Sequence, residues 1–201
     1  MASIYDIKPQ FQALLRPATI RLAAWGVTAN QVTVAAAVLS LVVGGVIAVA
    51  QPNIRVLLLL PVVLLVRMAL NAVDGMLARE HNQKSSLGAI LNELGDVISD
   101  AGLYLSLATV AGVRPTLVVL MVLLAILSEL AGVVAVQIGA SRRYEGPMGK
   151  SDRAFVIGAL GLALGLGVSP GRWTDWLLIV MSALIAYTIY NRCRRALREA
   201  P

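Results

Sequence analysis

Six stretches of the sequence are apolar and long enough to cross the hydrocarbon core of a bilayer, which is roughly 30 Å thick. Such segments must satisfy their own backbone polar groups, so each is predicted to be a helix. Of the 201 residues, 58% are hydrophobic and 14% are charged, whereas a soluble domain has about 25% charged residues. A polytopic membrane protein is therefore predicted, with spans near residues 31–50, 56–79, 87–112, 115–139, 154–170 and 174–191.

The segment before the first span mixes apolar and basic side chains, which is typical of a helix that lies in the membrane interface. Pro17 is expected to bend this helix. The predicted fold is therefore all-α, a single membrane domain over residues 1–201 with an interfacial amphipathic helix (5–25), a six-helix bundle (31–191) and a basic tail (192–201). The mixed side chains of the first segment are Ile4, Phe11, Leu14, Leu15, Ile20 and Leu22 with Lys8, Arg16 and Arg21.

The basic residues outside the spans cluster on one side of the predicted bundle. The opposite connections hold only Arg55, Arg114 and Arg172. By the positive-inside rule the basic side is cytoplasmic, and with six spans both termini lie there. Topology thus accounts for the net charge of +6, and no nucleic-acid partner is predicted. The clusters are Lys8, Arg16 and Arg21; Arg79 and Lys84; Arg142, Arg143, Lys150 and Arg153; and Arg192, Arg194, Arg195 and Arg198.

Polar side chains interrupt the second and third spans at helical spacing, so that each set lies on one stripe of its helix. The short connection around residues 80–86 makes these spans antiparallel neighbours, and the stripes are expected to meet near the cytoplasmic surface. A charge at bilayer depth costs at least about 2.5 kcal/mol, so these groups should face a polar cavity or each other. The stripes contain Asn71, Asp74 and Ala78, and Gly88, Asn92, Asp96 and Asp100; Glu93 is a further polar group within a span. Arg67 is expected to form a structural ion pair with Glu129, or alternatively with Asp100.

This carboxylate cluster is typical of a site for a hard divalent cation. Clustered acids resist ionising together unless a cation neutralises them, and oxygen ligands suit Mg²⁺, Mn²⁺ or Ca²⁺. The single cysteine, Cys193, and the single histidine, His81, exclude a zinc site of the usual kind. A metal near the basic cytoplasmic surface favours a substrate that carries phosphate. Small residues beside the acids leave room for a ligand, although plain helix packing also explains them.

The two stripes resemble the signature of the CDP-alcohol phosphotransferases, D-x-x-D-G-x-x-A-R and, after a short spacer, G-x-x-x-D-x-x-x-D. This chain reads N-A-V-D-G-M-L-A-R over residues 71–79 and G-A-I-L-N-E-L-G-D over residues 88–96. Six spans, an interfacial first helix and cytoplasmic termini are also similar to the family fold. So are the segments T-A-N-Q-V-T (28–33) and G-P-M-G-K (146–150). The signature positions that agree in identity are Asp74, Gly75, Ala78, Arg79, Gly88 and Asp96.

The resemblance implies a reaction in which the phospho-alcohol part of a CDP-alcohol is transferred to an acceptor hydroxyl and CMP is released. In the family, the first three aspartates bind metal ions and the fourth is the expected general base. Asp96 is accordingly the implied catalytic base. One or two Mg²⁺ or Mn²⁺ ions are implied, with the ligands Asp74, Asn71, Asn92 and Asp96.

The resemblance also implies where the substrates bind. Residues of the signature would border the nucleotide, and basic residues before the fifth span would hold an acceptor's phosphate or a lipid head group. Cytoplasmic anchoring is the alternative role of the basic residues. The implied nucleotide contacts are Gly75, Ala78, Arg79 and Gly88, and the implied acceptor or phosphate contacts are Arg142, Arg143, Lys150 and Arg153.

The sequence departs from the family pattern at Asn71 and Asn92, which stand at the first and third aspartates. An amide oxygen can still bind a metal, but two negative charges are lost and the metal should bind more weakly. Three interpretations follow: two metals held through amide oxygens, one metal helped by Glu93 or Asp100, or lost catalysis with retained binding of a nucleotide lipid. A register using Asp96 and Asp100 as the last pair is less favoured, because it breaks the spacing from Gly88.

The predicted function is a divalent-metal-dependent CDP-alcohol phosphotransferase of phospholipid synthesis in the inner membrane of a bacterium. The implied donor is CDP-diacylglycerol, whose tails can stay in the bilayer, and the acceptor is a small alcohol or a phosphorylated polyol. A homodimer is expected because the family is commonly dimeric. The alternatives are a non-catalytic relative that binds CDP-lipids and a small transporter whose acids form an ion path.

Overall fold

The computed structural model describes the backbone of residues 4–200 and the side chains of residues 10–200. The side chains of Ile4 and Lys8, and Pro201 of the predicted tail, lie outside the described residues. Within the described range the chain is helical, which confirms the all-α prediction. The α-helices are α1 (Ile4–Ala24), α2 (Ala29–Val49), α3 (Leu59–Glu80), α4 (Ser86–Leu105), α5 (Pro115–Val134), α6 (Lys150–Gly165) and α7 (Arg172–Glu199).

Four helical stretches of the described residues are long and apolar enough to cross a membrane, namely Ala29–Val49, Ile54–Glu80, Pro115–Ile138 and Arg172–Glu199. α4 falls short because it carries the three acids Glu93, Asp96 and Asp100. α6 falls short because it has only 16 residues. Six spans, and an interfacial position for α1, therefore stay predictions.

The ends of two helices differ from the predicted spans for local reasons. The predicted third span is interrupted at Ser106, where a 3-10 turn (Ser106–Thr109) follows α4. The Ser106 hydroxyl donates a 2.6 Å hydrogen bond to the Leu103 carbonyl, and such bonds compete with the helical ladder. α7 instead continues to Glu199, because no glycine or proline stops it. Most of the predicted basic tail is thus helical, and α1 also continues as helix through Pro17.

The first of two compact units contains the chain up to Val42 and the segment Val63–Ser99. An ion pair of 2.9 Å between Arg16 and Glu80 joins α1 to the end of α3. The Gln83 side-chain oxygen accepts a 2.7 Å hydrogen bond from the backbone N–H of Ala29, which fixes the start of α2 to the α3–α4 turn. The buried apolar cluster of this unit is Ala29, Val32, Val73 and Leu77, against which Leu15, Leu22, Ala23, Val27, Leu70 and Ala78 pack.

The second unit contains the segment Val43–Val62 and the chain from Asp100 onward. α5 packs against α7, and α6 packs against the 3-10 segment Ile54–Leu58. Glycine permits the closest approaches in this unit: a Cβ at Gly44 would collide with the Gly102 carbonyl, and one at Gly165 would lie 2.8 Å from Leu58 Cγ. The helices therefore meet through small residues, as is common in membrane bundles.

Gly161→Ala is expected to destabilise the protein by about 1–3 kcal/mol through overpacking. An added Cβ would lie 2.8 Å from Leu60 Cβ and 3.1 Å from the Leu57 carbonyl oxygen. The matched control is Gly45→Ala, whose Cβ would meet nothing within 4 Å. It should leave stability unchanged or raise it by about 0.5–1 kcal/mol, since alanine favours the helix. Thermal unfolding in one detergent compares the two, and equal effects would contradict the packing role of Gly161.

Candidate active site

The two halves of the signature meet within the first unit. Asn71 on α3 donates a 3.1 Å hydrogen bond through Nδ2 to Asp96 Oδ1 on α4. α3 ends at Glu80 and α4 begins at Ser86, so the short turn between them folds the helices back on each other. The first and last signature positions are therefore neighbours in space, as the helical spacing predicted.

Asp74 lies almost one turn after Asn71 on α3, and 5% of its surface is exposed. The Thr33 hydroxyl lies 2.8 Å from Asp74 Oδ2 and 3.1 Å from the Ala29 carbonyl oxygen. Thr33 thus orients the carboxylate from α2. The sequence prediction included Thr33 only in the segment 28–33 that resembles the family, and gave it no role of its own.

Arg67 is a residue of this site that the sequence prediction did not assign. It lies one turn before Asn71 on α3, is 3% exposed, and places Nη2 3.8 Å from Asp96 Oδ1. The same carboxylate oxygen therefore faces an amide donor and a guanidinium. The sequence offered Glu129 or Asp100 as the ion-pair partner of Arg67, and the structure adds Asp96 of α4.

The small signature residues have packing roles as well as the implied ligand roles. A Cβ at Gly88 would lie 2.7 Å from Asn30 Oδ1 and 3.0 Å from Ser85 Oγ, so this glycine lets the start of α4 approach the start of α2. At Gly75 the nearest group is the Arg79 guanidinium, with Nη2 3.1 Å from the Cβ position. Arg79 therefore folds back along α3 and brings a positive charge beside the residue that follows Asp74.

The donor set of this site fits a divalent cation by chemistry. Its carboxylates, Asp74 and Asp96, and the amide of Asn71 offer oxygen ligands of the kind that Mg²⁺ and Mn²⁺ bind. Asn92, one turn before Asp96 on α4, is exposed. Over the described part of the chain, no group of three or more His, Cys, Asp or Glu side chains could hold a metal ion. A metal site here would therefore need amide oxygens as well as the two carboxylates.

The basic residues predicted to bind an acceptor lie in the second unit, and carboxylates contact most of them. Arg153, 1% exposed, places Nη2 2.9 Å from Glu129 Oε1 and 3.4 Å from Asp100 Oδ2. Arg142 lies 3.4 Å from the other oxygen of Glu129. Arg192, which the sequence analysis assigned only to the basic tail, is also 1% exposed and lies 3.4 Å from Glu129 Oε1. Glu129 is therefore the common partner of three arginines.

The loop before α6 carries the other predicted contacts. Arg143 bonds to Glu199 and lies 3.6 Å from Glu145 Oε1. Burial alone would raise the pKa of the Glu145 carboxyl, but the backbone N–H groups of Glu145 and Tyr144, with the charges of Arg143 and Arg195, lower that pKa overall. The Glu145 carboxylate therefore stabilises the fold at pH values above its ordinary pKa. This contribution is lost as the pH falls through the lowered pKa of the folded state. Lys150 is half-buried at the start of α6.

Comparison with known proteins decides the family. A family model described as CDP-alcohol phosphatidyltransferase matches residues 26–191, which include both halves of the signature. The chain belongs to this family. It is also similar to the inner membrane protein YnbA of Escherichia coli, with 49% identity over 195 residues that cover 97% of this chain and 96% of that protein.

Two solved structures resemble the chain over most of its length. One is the phosphatidylinositol phosphate synthase of Mycobacterium tuberculosis in complex with manganese and citrate, with a TM-score of 0.75, 17% identity and coverage of 90% of this chain and 88% of that one. The other is the same enzyme with CDP-DAG bound, with a TM-score of 0.70, 18% identity and 92% coverage of each chain. At these identities the likeness establishes the fold. CDP-alcohol phosphatidyltransferases are transferases, and phospholipid synthesis, a membrane location and metal use are consistent with the family.

Proposed function

We propose that this protein transfers a phosphatidyl group from CDP-diacylglycerol to the hydroxyl of a small alcohol or phosphorylated polyol and releases CMP. The observation that carries the proposal is the hydrogen bond between Asn71 and Asp96, which joins the two halves of the family signature in one site. Asp74 lies beside them on α3 and is held by Thr33. A solved structure of the same fold has CDP-DAG bound, which supports the choice of donor.

Features of the first unit support a nucleotide lipid as the donor. One open face of α2 is mainly apolar and carries Asn30, Gln31, Val34, Ala35 and Val38. Asn30 also lies against Gly88, so the polar end of this face adjoins the signature. An acyl chain would lie along the apolar part. The nucleotide is assigned to Gly75, Ala78, Arg79 and Gly88.

In the proposed reaction, the acceptor oxygen forms a bond to the phosphorus of the phosphatidyl group as the bond from that phosphorus to the CMP oxygen breaks. Asp96 takes the proton of the acceptor hydroxyl as general base. Arg79 offsets negative charge on the pyrophosphate. A bound Mg²⁺ or Mn²⁺ would neutralise the pyrophosphate further and stabilise the departing CMP. Asp74, Asn71, Asn92 and Asp96 are the assigned ligands.

The acceptor is assigned to Arg142, Arg143, Lys150 and Arg153. The net charge of the cluster around Glu129 bears on the charge of this acceptor. In the cluster, three arginines (Arg142, Arg153 and Arg192) face two carboxylates (Glu129 and Asp100). Arginines outnumber carboxylates in this cluster by one, which supports an acceptor that carries negative charge. We also propose that the chain crosses the membrane six times, has both termini in the cytoplasm and forms a homodimer.

The proposal is tested with purified protein, Mg²⁺ or Mn²⁺, labelled CDP-diacylglycerol and a panel of alcohols and phosphorylated polyols. Release of CMP together with a new phospholipid is the expected result. Binding of CDP-diacylglycerol with no turnover on any acceptor would favour the non-catalytic relative. Metal-independent ion flux into protein-containing liposomes, with no CMP release, would favour the transporter.

A further inference from the structure

The carboxylate of Asp96 accepts one hydrogen bond from the chain itself and forms an ion pair with a buried guanidinium. The Asn71 side-chain N–H lies 3.1 Å from Asp96 Oδ1, and the Arg67 guanidinium lies 3.8 Å from the same oxygen. An aspartate at position 71 would instead set two carboxylates against each other, and a cation would be needed between them. Asparagine replaces that repulsion with a direct hydrogen bond. Arg67 then supplies a permanent positive charge beside it.

The formal charges at this site differ from those of the family signature. Four aspartates carry four negative charges, which two divalent cations would neutralise. Here Asp74 and Asp96 carry two negative charges, and Arg67, 3% exposed, returns one positive charge. A second divalent cation would therefore meet a fixed guanidinium in a poorly screened environment, where like charges repel strongly.

We infer that this site takes one divalent cation and that Arg67, with the Asn71 N–H, stands in for a second one. Of the four ligands assigned above, this cation takes Asp74 and the amide oxygens of Asn71 and Asn92, and Asp96 is left as the general base. Arg67 is a positioning residue, because it acts through the Asp96 carboxylate. The inference rests on the proposed function for the presence of a metal, but the number of ions is a separate question from turnover.

The test is a titration of the purified protein in lipid nanodiscs with Mn²⁺, without nucleotide. Electron paramagnetic resonance reports the free ion, so bound Mn²⁺ is obtained by difference. The parent is expected to bind one Mn²⁺ per chain. Arg67→Gln should tighten that binding by about tenfold, equivalent to ~1.4 kcal/mol, because a positive charge is removed. Arg67→Lys, which keeps the charge, is the matched control and should stay close to the parent.

The triple variant Asn71→Asp, Asn92→Asp, Arg67→Gln restores the acids and removes the guanidinium, so it should bind two Mn²⁺ per chain. The double variant with Arg67 intact should bind its second Mn²⁺ at least about tenfold more weakly than the triple variant does. Two ions in the parent, or none, would overturn the inference without reference to any variant. Weaker Mn²⁺ binding by a folded Arg67→Gln protein would also overturn it, since that result would mean that Arg67 only holds the metal ligands in place.

CMP release by the same preparations is measured separately. If the parent binds one Mn²⁺ but releases no CMP with any acceptor, the proposed function is wrong and the inference of one ion per chain holds. If the parent releases CMP with two bound ions, the inference of one ion is wrong and the proposed function holds.

Discussion

Replacing Asp96 by alanine is expected to slow CMP release by about 10²–10⁴-fold, the range that a general base contributes. Asp96 is the last residue of the signature and contacts Asn71 and Arg67, so its carboxylate is fixed in the proposed site. The loss should fall mainly on kcat, because the proton is removed in the chemical step. Initial rates with saturating CDP-diacylglycerol measure it.

Two further variants make the result for Asp96 specific. Asp96→Asn keeps the shape and can still hydrogen-bond, so it should lose nearly as much activity as alanine if the carboxylate acts as a base. Asp175→Ala is the control for a general loss of an acid, since Asp175 pairs with the exposed Arg114 at 3.0 Å in the second unit and should keep parental rates. If Asp96→Ala retained a rate within about tenfold of the parent, the assignment of the base would be wrong. Asp100, one turn further along α4, would then be the next candidate.

Replacing Glu129 by alanine is expected to destabilise the protein by about 3–5 kcal/mol, the usual cost of removing one partner from a buried ion pair. Glu129 lies within 3.4 Å of Arg142, Arg153 and Arg192. Arg153 and Arg192 are almost fully buried, so the substitution leaves positive charges with too little compensation. Thermal unfolding of parent and variant in the same detergent measures the effect.

Asp175→Ala serves as the control here as well, because a pair with an exposed partner contributes about 0–1 kcal/mol. Glu129→Gln separates the effect of charge from that of shape, because it keeps the side-chain volume and an acceptor oxygen. It should still cause most of the destabilisation that Glu129→Ala causes. A Glu129→Ala protein as stable as Asp175→Ala would show that the arginines do not depend on Glu129. The cluster would then be a poor guide to the charge of the acceptor.

Helical periodicity was sufficient to place the residues of the proposed site on two facing stripes. The spacing of Asn71 and Asp74, and of Asn92 and Asp96, follows from 3.6 residues per turn. The short connection before α4 then requires the two helices to be antiparallel. For these reasons the contact between Asn71 and Asp96 could be expected before any coordinates were known.

The partners of charged residues could not be predicted in the same way. Arg67 lies 3.8 Å from Asp96 on α4, whereas Glu129 or Asp100 was the expected partner, and Arg192 pairs with Glu129, more than sixty residues earlier in the chain. Neither pairing leaves a periodic signal, because it depends on which faces of separate helices meet. Arg192 was especially misleading, since an arginine just beyond an apolar span usually anchors topology. Here α7 continues past it and buries it.

Small residues were ambiguous for a related reason. Gly88 was expected to leave room for a ligand, and in the structure it also makes room for Asn30 and Ser85. Gly75 was expected to do the same and also accommodates the side chain of Arg79. A glycine in a sequence indicates that something approaches closely. Only the packing decides whether that neighbour is a helix, a side chain or a substrate.

The central claim is that Asp74 and Asp96 form the centre of a metal-assisted phosphatidyl transfer despite Asn71 and Asn92. The most direct measurement is CMP release from CDP-diacylglycerol by the purified protein, with and without a chelator of divalent ions. We expect release that needs an acceptor, stops on chelation, returns with Mn²⁺, and is lost in both Asp74→Ala and Asp96→Ala. Release that continues unchanged in the chelator, or in both variants, would contradict the claim.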